Sequence, residues 1–186
     1  MNDQAAARRW HPFLGRLQRA ARPIAYALLA FVFFQWFARN QSGPKTGEPA
    51  AEFSLKLASD EQERVTLADL RGSPAVIEVV ASWCSACRSM APTMAEVAKV
   101  PRKRAVHFLA VAVDTPSQEA VAMHTGWGIP FSIAMADSKF TSDFRINTLP
   151  TIIVLDAEGR VRQVTSGTTR ARTIDRWLSE LGADRM

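Results

Sequence analysis

The chain has 186 residues, with 23 Lys and Arg against 18 Asp and Glu and a formal net charge of +5, a length that suits one catalytic domain plus an appendage of about forty or fifty residues. The basic excess lies wholly within residues 1–50, where Arg8, Arg9, Arg16, Arg19, Arg22, Arg39 and Lys45 face only Asp3 and Glu48, and the remainder is balanced. That distribution excludes a nucleic-acid-binding role built on net charge, and Arg102-Lys103-Arg104, with no interleaved aromatic residues, reads as a solvated loop.

From Ile24 to Ala38 the chain reads I-A-Y-A-L-L-A-F-V-F-F-Q-W-F-A, apolar except at Gln35 and preceded by five arginines. At about 1.5 Å per residue this stretch spans roughly 22 Å, against a hydrocarbon core of ~30 Å. A span is therefore tight, and requires Arg22 and Arg39 to snorkel and Trp36 to sit at the interface. A cleaved secretory signal is the competing reading, but Gln35-Trp36-Phe37-Ala38 is bulky where a signal peptidase needs small residues, so an uncleaved anchor is preferred. No cysteine lies nearby to carry a lipid. A buried core helix fits poorly, because the stretch has no polar face and runs into the linker Gln41-Ser42-Gly43-Pro44-Lys45-Thr46-Gly47. The one-sided basic flank keeps the N-terminus in the cytoplasm and sends the rest across. The expected organisation is a basic cytoplasmic N-terminus (1–22), a transmembrane signal anchor (23–39), a linker (40–48) and one exported domain (49–186).

Within that domain Phe53 to Leu57 and Val65 to Leu67 read as the strands of an opening hairpin, and Leu70-Arg71-Gly72-Ser73-Pro74 as a turn. Ala75 to Ala81 is an apolar run broken only by Glu78, as expected of a strand covered on both faces. A helix is expected from Cys84 to about Lys99, a buried strand over Val106 to Val113, and a helix opened by Pro116 and running to about Thr125. Phe131 to Met135 reads as a short strand and Phe140 to Phe144 as a helical turn. Thr151 to Leu155 and Val161 to Thr165 flank a hairpin turn at Ala157-Glu158-Gly159-Arg160. The closing helix, Arg170 to Leu181, carries Ile174, Trp177, Leu178 and Leu181 on one face. The pattern predicts an α/β fold, a mixed sheet flanked by helices with one antiparallel edge.

The chemistry concentrates in Trp83-Cys84-Ser85-Ala86-Cys87. Where a buried strand becomes a helix, the first sulfur sits at the helix N-terminus, whose N–H groups and dipole favour a thiolate. Cys84 is thus the expected nucleophile. Cys87, one turn on, is placed to attack a mixed disulfide on Cys84 and release the reduced partner. No metal is expected: zinc would need four ligands, and there is no second cysteine pair, while His107 and His124 show no ligand spacing. Covalent haem attachment would need His directly after Cys87, and Arg88 stands there. An inert structural disulfide would close too small a loop to stabilise much. Glu78, a carboxylate inside V-I-E-V-V, is desolvated unless neutral or paired. It is either a proton acceptor for the Cys87 thiol or a structural residue, paired with a base or lying on an edge strand.

Residues 49 to 182 resemble the thioredoxin superfamily, and within it the membrane-anchored TlpA-like branch of thiol-disulfide oxidoreductases. The resemblance rests on Ala51-Glu52-Phe53-Ser54-Leu55, on Val65-Thr66-Leu67-Ala68-Asp69-Leu70-Arg71-Gly72, on Trp83-Cys84-Ser85-Ala86-Cys87-Arg88 with Pro92 beyond, and on Leu149-Pro150-Thr151. It implies a thioredoxin-like fold, with Gly128 through Asp137 forming the branch's helix-strand insertion. It also implies a buried acid at Glu78, a cis-proline at Pro150, and partner docking by Trp83, Leu149 and Pro150. Leu149 departs from the branch, which more often has Thr there. Pro150, read without the resemblance, need only be a proline at a strand start.

These readings predict an enzyme needing no cofactor beyond the redox-active Cys84-Cys87 pair. It would sit single-pass in a bacterial inner membrane, its catalytic domain on the periplasmic or outer side. Its implied partners are exported proteins with cysteines, among them apocytochromes or metal-site proteins, and a membrane electron carrier that recharges it. The resemblance favours a reductant. A disulfide oxidant or isomerase would use the same residues. A non-enzymatic copper or haem transfer module would have to recruit Met90 or Met94, which read more simply as helix core.

Overall fold

The computed structural model describes residues 23, 26–35, 44–99 and 105–182, which divide into two units between residues 42 and 43. In the first, residues 26–35 are helical, and Tyr26, Leu28, Leu29, Phe31, Val32 and Phe34 are all exposed. No helix among the described residues is long and apolar enough to cross a membrane. The expected span 23–39 also takes in residues 24, 25 and 36–39, which lie outside the described residues, as does Arg102-Lys103-Arg104.

The second unit opens with the expected hairpin, β1 (Ser54–Leu57) against β2 (Arg64–Thr66), paired antiparallel with Leu55 opposite Val65. β3 (Ala75–Val80) is buried at every residue, because strands cover both its edges and helices or loops both its faces. It leads into α1 (Ser85–Lys99), then β4 (His107–Ala112), α2 (Ser117–Gly126), β5 (Ser132–Met135) and the short α3 (Ser138–Asp143). The chain closes with β6 (Thr151–Leu155), β7 (Val161–Ser166) and α4 (Ala171–Glu180).

The strands form one seven-stranded sheet in the order β2-β1-β5-β4-β3-β6-β7. Its centre is parallel (β5, β4, β3), while β6 and β7 are antiparallel to it on one side and β1 and β2 on the other. The sequence pattern predicted one antiparallel edge and there are two. The opening hairpin does not stand apart but joins the sheet by pairing Lys56 with Met135 and Leu57 with Ala134. The end of the expected linker is also engaged: Gly47 N–H donates to Val161 O at 2.7 Å and Val161 N–H to Glu48 O at 2.9 Å.

Side chains alternate across β3 as strand geometry requires. Ala75, Ile77 and Val79 enter a cluster with Phe53, Leu55, Phe140 and Phe144, in which Phe140 and Phe144 have ring centroids 4.5 Å apart. Val76 enters the other cluster with Met90, Met94 and Val97 of α1, Ile152 and Val154 of β6, and Ile174 and Leu178 of α4. Glu78, two residues on from Val76 and opposite Ile152, therefore belongs to the face covered by α1 and α4. The spacing of Ile174 and Leu178 does place the closing helix on the sheet, with Trp177 and Leu181 packed against the same cluster.

Candidate active site

The turn between β3 and α1 is held from several directions. Val113 N–H donates to Val80 O at 2.9 Å, and Cys84 N–H to Ala81 O at 3.1 Å. The buried hydroxyl of Thr115 accepts from Ser82 N–H at 3.2 Å while donating to Val113 O at 2.8 Å. These bonds tie the residues just before Cys84 to the end of the neighbouring parallel strand. Helix α1 then starts at Ser85, so Cys84 stands where an N-cap would, and its Sγ accepts the N–H of Cys87 at 3.1 Å.

Cys84 and Cys87 are joined in a disulfide, with Cα atoms 5.3 Å apart. They differ in access: Cys84 is 6% exposed and Cys87 is fully buried. On reduction, the helix dipole and the Cys87 N–H favour a thiolate at Cys84.

Glu78 is fully buried, and neither carboxylate oxygen has a hydrogen-bond partner. Desolvation raises its pKa to about 8. β3 is flanked by β4 and β6, so Glu78 does not lie on an edge strand, and among the described residues no base pairs with its carboxylate. His124 is also buried, and desolvation lowers its pKa. It packs edge-on against Phe131 with ring centroids 5.9 Å apart, on the α2 and β5 side of the domain.

A groove of about 510 Å³ opens in front of the disulfide, lined by Trp83 and Cys84, by Val113 and Asp114 after β4, by Thr141 of α3, and by Ile146, Asn147, Thr148 and Leu149 before β6. Trp83 is 65% exposed on its wall. The Leu149-Pro150 peptide bond is cis, as the resemblance implied, and Pro150 is buried behind Leu149. The loop is fixed by Thr151 Oγ1–H donating to Thr148 O at 2.7 Å and by Gly167 N–H donating to Pro150 O at 2.7 Å. Among the described residues no hydrogen bond engages the backbone of Leu149.

Of the residues singled out in the sequence, Trp83, Cys84 and Leu149 meet in this groove. Cys87 lies behind Cys84, Pro150 behind Leu149, and Glu78 on the sheet face beneath α1. Sequence reasoning missed Asp114, Thr141, Ile146, Asn147 and Thr148. A signal existed for Asp114: β3 and β4 are parallel neighbours, so the residue ending the second must emerge on the same sheet edge as the cysteines that follow the first. Among the described residues no group of three or more His, Cys, Asp and Glu is placed to hold a metal ion. Met90 and Met94, the thioethers a metal-transfer role would need, are 2% and 0% exposed within the core beneath α1.

Residues 46–164 match the sequence profile of the AhpC/TSA family. The chain is 29% identical over 160 residues to the thiol:disulfide interchange protein DsbE of Allochromatium vinosum, covering 85% of each protein. It is 24% identical over 159 residues to the thiol-disulfide oxidoreductase ResA of Geobacillus kaustophilus, covering 85% of this chain and 90% of that one. Its fold superposes with a TM-score of 0.67 on a putative thiol:disulfide interchange protein DsbE from Chlorobium tepidum, at 20% identity over 74% of this chain and 98% of the other. With a Cys-x-x-Cys pair at the head of a helix and these relatives across most of its length, the chain belongs to the AhpC/TSA family, in the TlpA-like branch of the thioredoxin superfamily, and is a thiol-disulfide oxidoreductase.

Proposed function

We propose that this chain is a membrane-anchored, exported dithiol reductant of other exported proteins. The observation that carries the exchange chemistry is the asymmetry of the pair: Cys84 reaches the groove and is capped by an N–H, while Cys87 is fully buried behind it; the reducing direction follows the resemblance to the TlpA-like branch. In the reduced enzyme the Cys84 thiolate attacks one sulfur of a partner's disulfide. The partner S–S bond breaks, a Cys84–partner mixed disulfide forms, and the released partner thiolate takes a proton. Cys87 then loses its proton and attacks Cys84 Sγ, forming the Cys84-Cys87 disulfide and freeing the second partner thiol. Two electrons pass to the partner and the enzyme is left oxidised, to be recharged by a membrane electron carrier.

Glu78 serves as the acceptor of the Cys87 proton, since a carboxyl with a pKa of about 8 exchanges protons readily near neutral pH. Trp83, Leu149 and Pro150 form the docking wall, where the unengaged backbone of Leu149 pairs with an extended partner chain. Residues 23–39 anchor the enzyme in a bacterial inner membrane, N-terminus in the cytoplasm and catalytic domain outside, consistent with the apolar side chains exposed along 26–35.

Equilibrating the purified chain with redox buffers and quantifying free thiols gives the potential of the Cys84/Cys87 couple. A value nearer the about −270 mV of thioredoxin than the about −120 mV of DsbA is expected. A value near the latter would make the protein an oxidant. Tight copper or haem binding without any exchange would instead indicate a transfer module.

A further inference from the structure

Among the described residues lining the groove, Asp114 alone carries a formal charge. Asp114 is exposed, and among the described residues no hydrogen bond or ion pair engages its carboxylate. Its backbone is left-handed, at φ 45°, a region that Asp and Asn tolerate better than other non-glycine residues. Both neighbours are pinned, Val113 through its N–H to Val80 O and Thr115 through the hydroxyl that bridges Ser82 and Val113. The carboxylate is thus presented from a fixed backbone position at the mouth of the groove. The same groove holds the exposed indole of Trp83, an aromatic face that attracts a cation. The rest of the wall is neutral, with Ile146 and Leu149 apolar and Asn147 able to hydrogen-bond. Because residues 51–186 carry balanced charge, no strong overall field competes with this local one.

We propose that the groove selects extended, cysteine-bearing partners that carry a lysine or arginine close to the reacting disulfide, its charge meeting Asp114 and its stem lying on Trp83. An acidic residue at that place is disfavoured by like-charge repulsion. The inference rests on the reading of this site as a partner-docking, disulfide-exchanging groove, and adds the class of partner it accepts. The exchange steps are those given above; only docking differs between partners.

The test uses the full-length chain, reduced, and two synthetic peptides with the same internal disulfide, one flanked by lysines and the other by glutamates. Each rate constant is divided by that peptide's rate with dithiothreitol, which removes the intrinsic reactivity of the disulfide. At low ionic strength the lysine peptide should be reduced about 3- to 10-fold faster by this normalised measure, as expected for one charge pair at a wet surface. The preference should shrink as salt is raised. Asp114→Asn, which keeps the left-handed backbone accessible, should bring the ratio close to one, and Asp114→Lys should reverse it. A wild-type ratio near one, a ratio insensitive to salt, or the wild-type ratio persisting in Asp114→Asn overturns the inference. The salt series uses no variant, so it stands even if Asp114→Lys fails to fold. If the wild-type chain reduces neither peptide while dithiothreitol reduces both, the exchange reading itself fails, a different outcome from loss of the charge preference.

Discussion

The N–H of Cys87 points at the sulfur of Cys84 across 3.1 Å, so the buried member of the pair polarises the accessible one. Only Cys84 receives that N–H and the helix dipole together, as the attacking sulfur of the proposed exchange requires. Cys87→Ser should therefore accumulate partners as mixed disulfides on Cys84, while Cys84→Ser traps few or none. Non-reducing gels of cells expressing each variant, followed by alkylation of the reduced wild type at neutral pH, would check this. Equal trapping by both, or labelling of Cys87 before Cys84, contradicts the assignment.

Glu78 links stability to pH. Its folded pKa, about 8, stands above the ordinary value of 4.5, so the folded state holds the proton more tightly than the unfolded chain does. Its contribution to stability is therefore greatest below pH 4.5, declines as pH rises towards 8, and levels off beyond. At about 1.4 kcal/mol per pH unit, the loss by pH 7 is on the order of 3 kcal/mol. Glu78→Gln lacks this slope. It should equal or exceed wild type in stability at pH 7 if its amide finds partners, with the difference shrinking in acid. Its resolution of mixed disulfides should slow by about 10-fold or more. Urea unfolding and single-turnover reduction from pH 5 to 9 measure both. A variant less stable at pH 7 with wild-type resolution would give Glu78 a structural role only.

Thr115 links the active-site turn to β4 through two hydrogen bonds of one buried hydroxyl. Thr115→Val keeps the shape but strands Ser82 N–H and Val113 O, so a loss of about 1–3 kcal/mol in urea unfolding is expected. Thr115→Ser, which retains the hydroxyl, should recover most of it. A valine variant as stable as wild type would show that water replaces the bridge.

The N-terminal segment gives a fractionation test. The full-length chain should remain with membranes through an alkaline wash, and a reporter fused to its C-terminus should register outside the cytoplasm. A mature product starting near residues 39–47 that washes off freely would mean that the segment is a cleaved signal.

Much of the fold was legible because period and burial agree. The apolar run Ala75 to Ala81 suited a strand covered on both faces, and the Ile174 and Leu178 spacing suited a helix packed on the sheet, as the structure has them. Helix starts were off by a residue or two where a side chain caps the backbone: Cys84 lies before α1 rather than in it, and Asp137 accepts Phe140 N–H at 2.7 Å ahead of α3. The pairing of β1 with β5 was hidden because a strand's own pattern says which face is buried but not which neighbour it takes. Cys84, Cys87 and Glu78 stood out because each residue type is unusual in its place. The groove did not, since Asp114, Thr141 and Asn147 come from three separate segments and meet only in the folded chain.

The unequal access of the two sulfurs also sets how the enzyme ages in an oxidising surrounding. A free thiolate that meets peroxide passes to sulfenic acid and then, irreversibly, to sulfinic and sulfonic acids. Cys87, shielded from solvent, is spared this attack, so chemical damage begins at Cys84. A sulfenic acid formed there has its rescuer one helical turn away: condensation with the Cys87 thiol expels water and gives the disulfide seen here. The disulfide form thus doubles as a protected store, in which neither sulfur is a thiolate open to further oxidation.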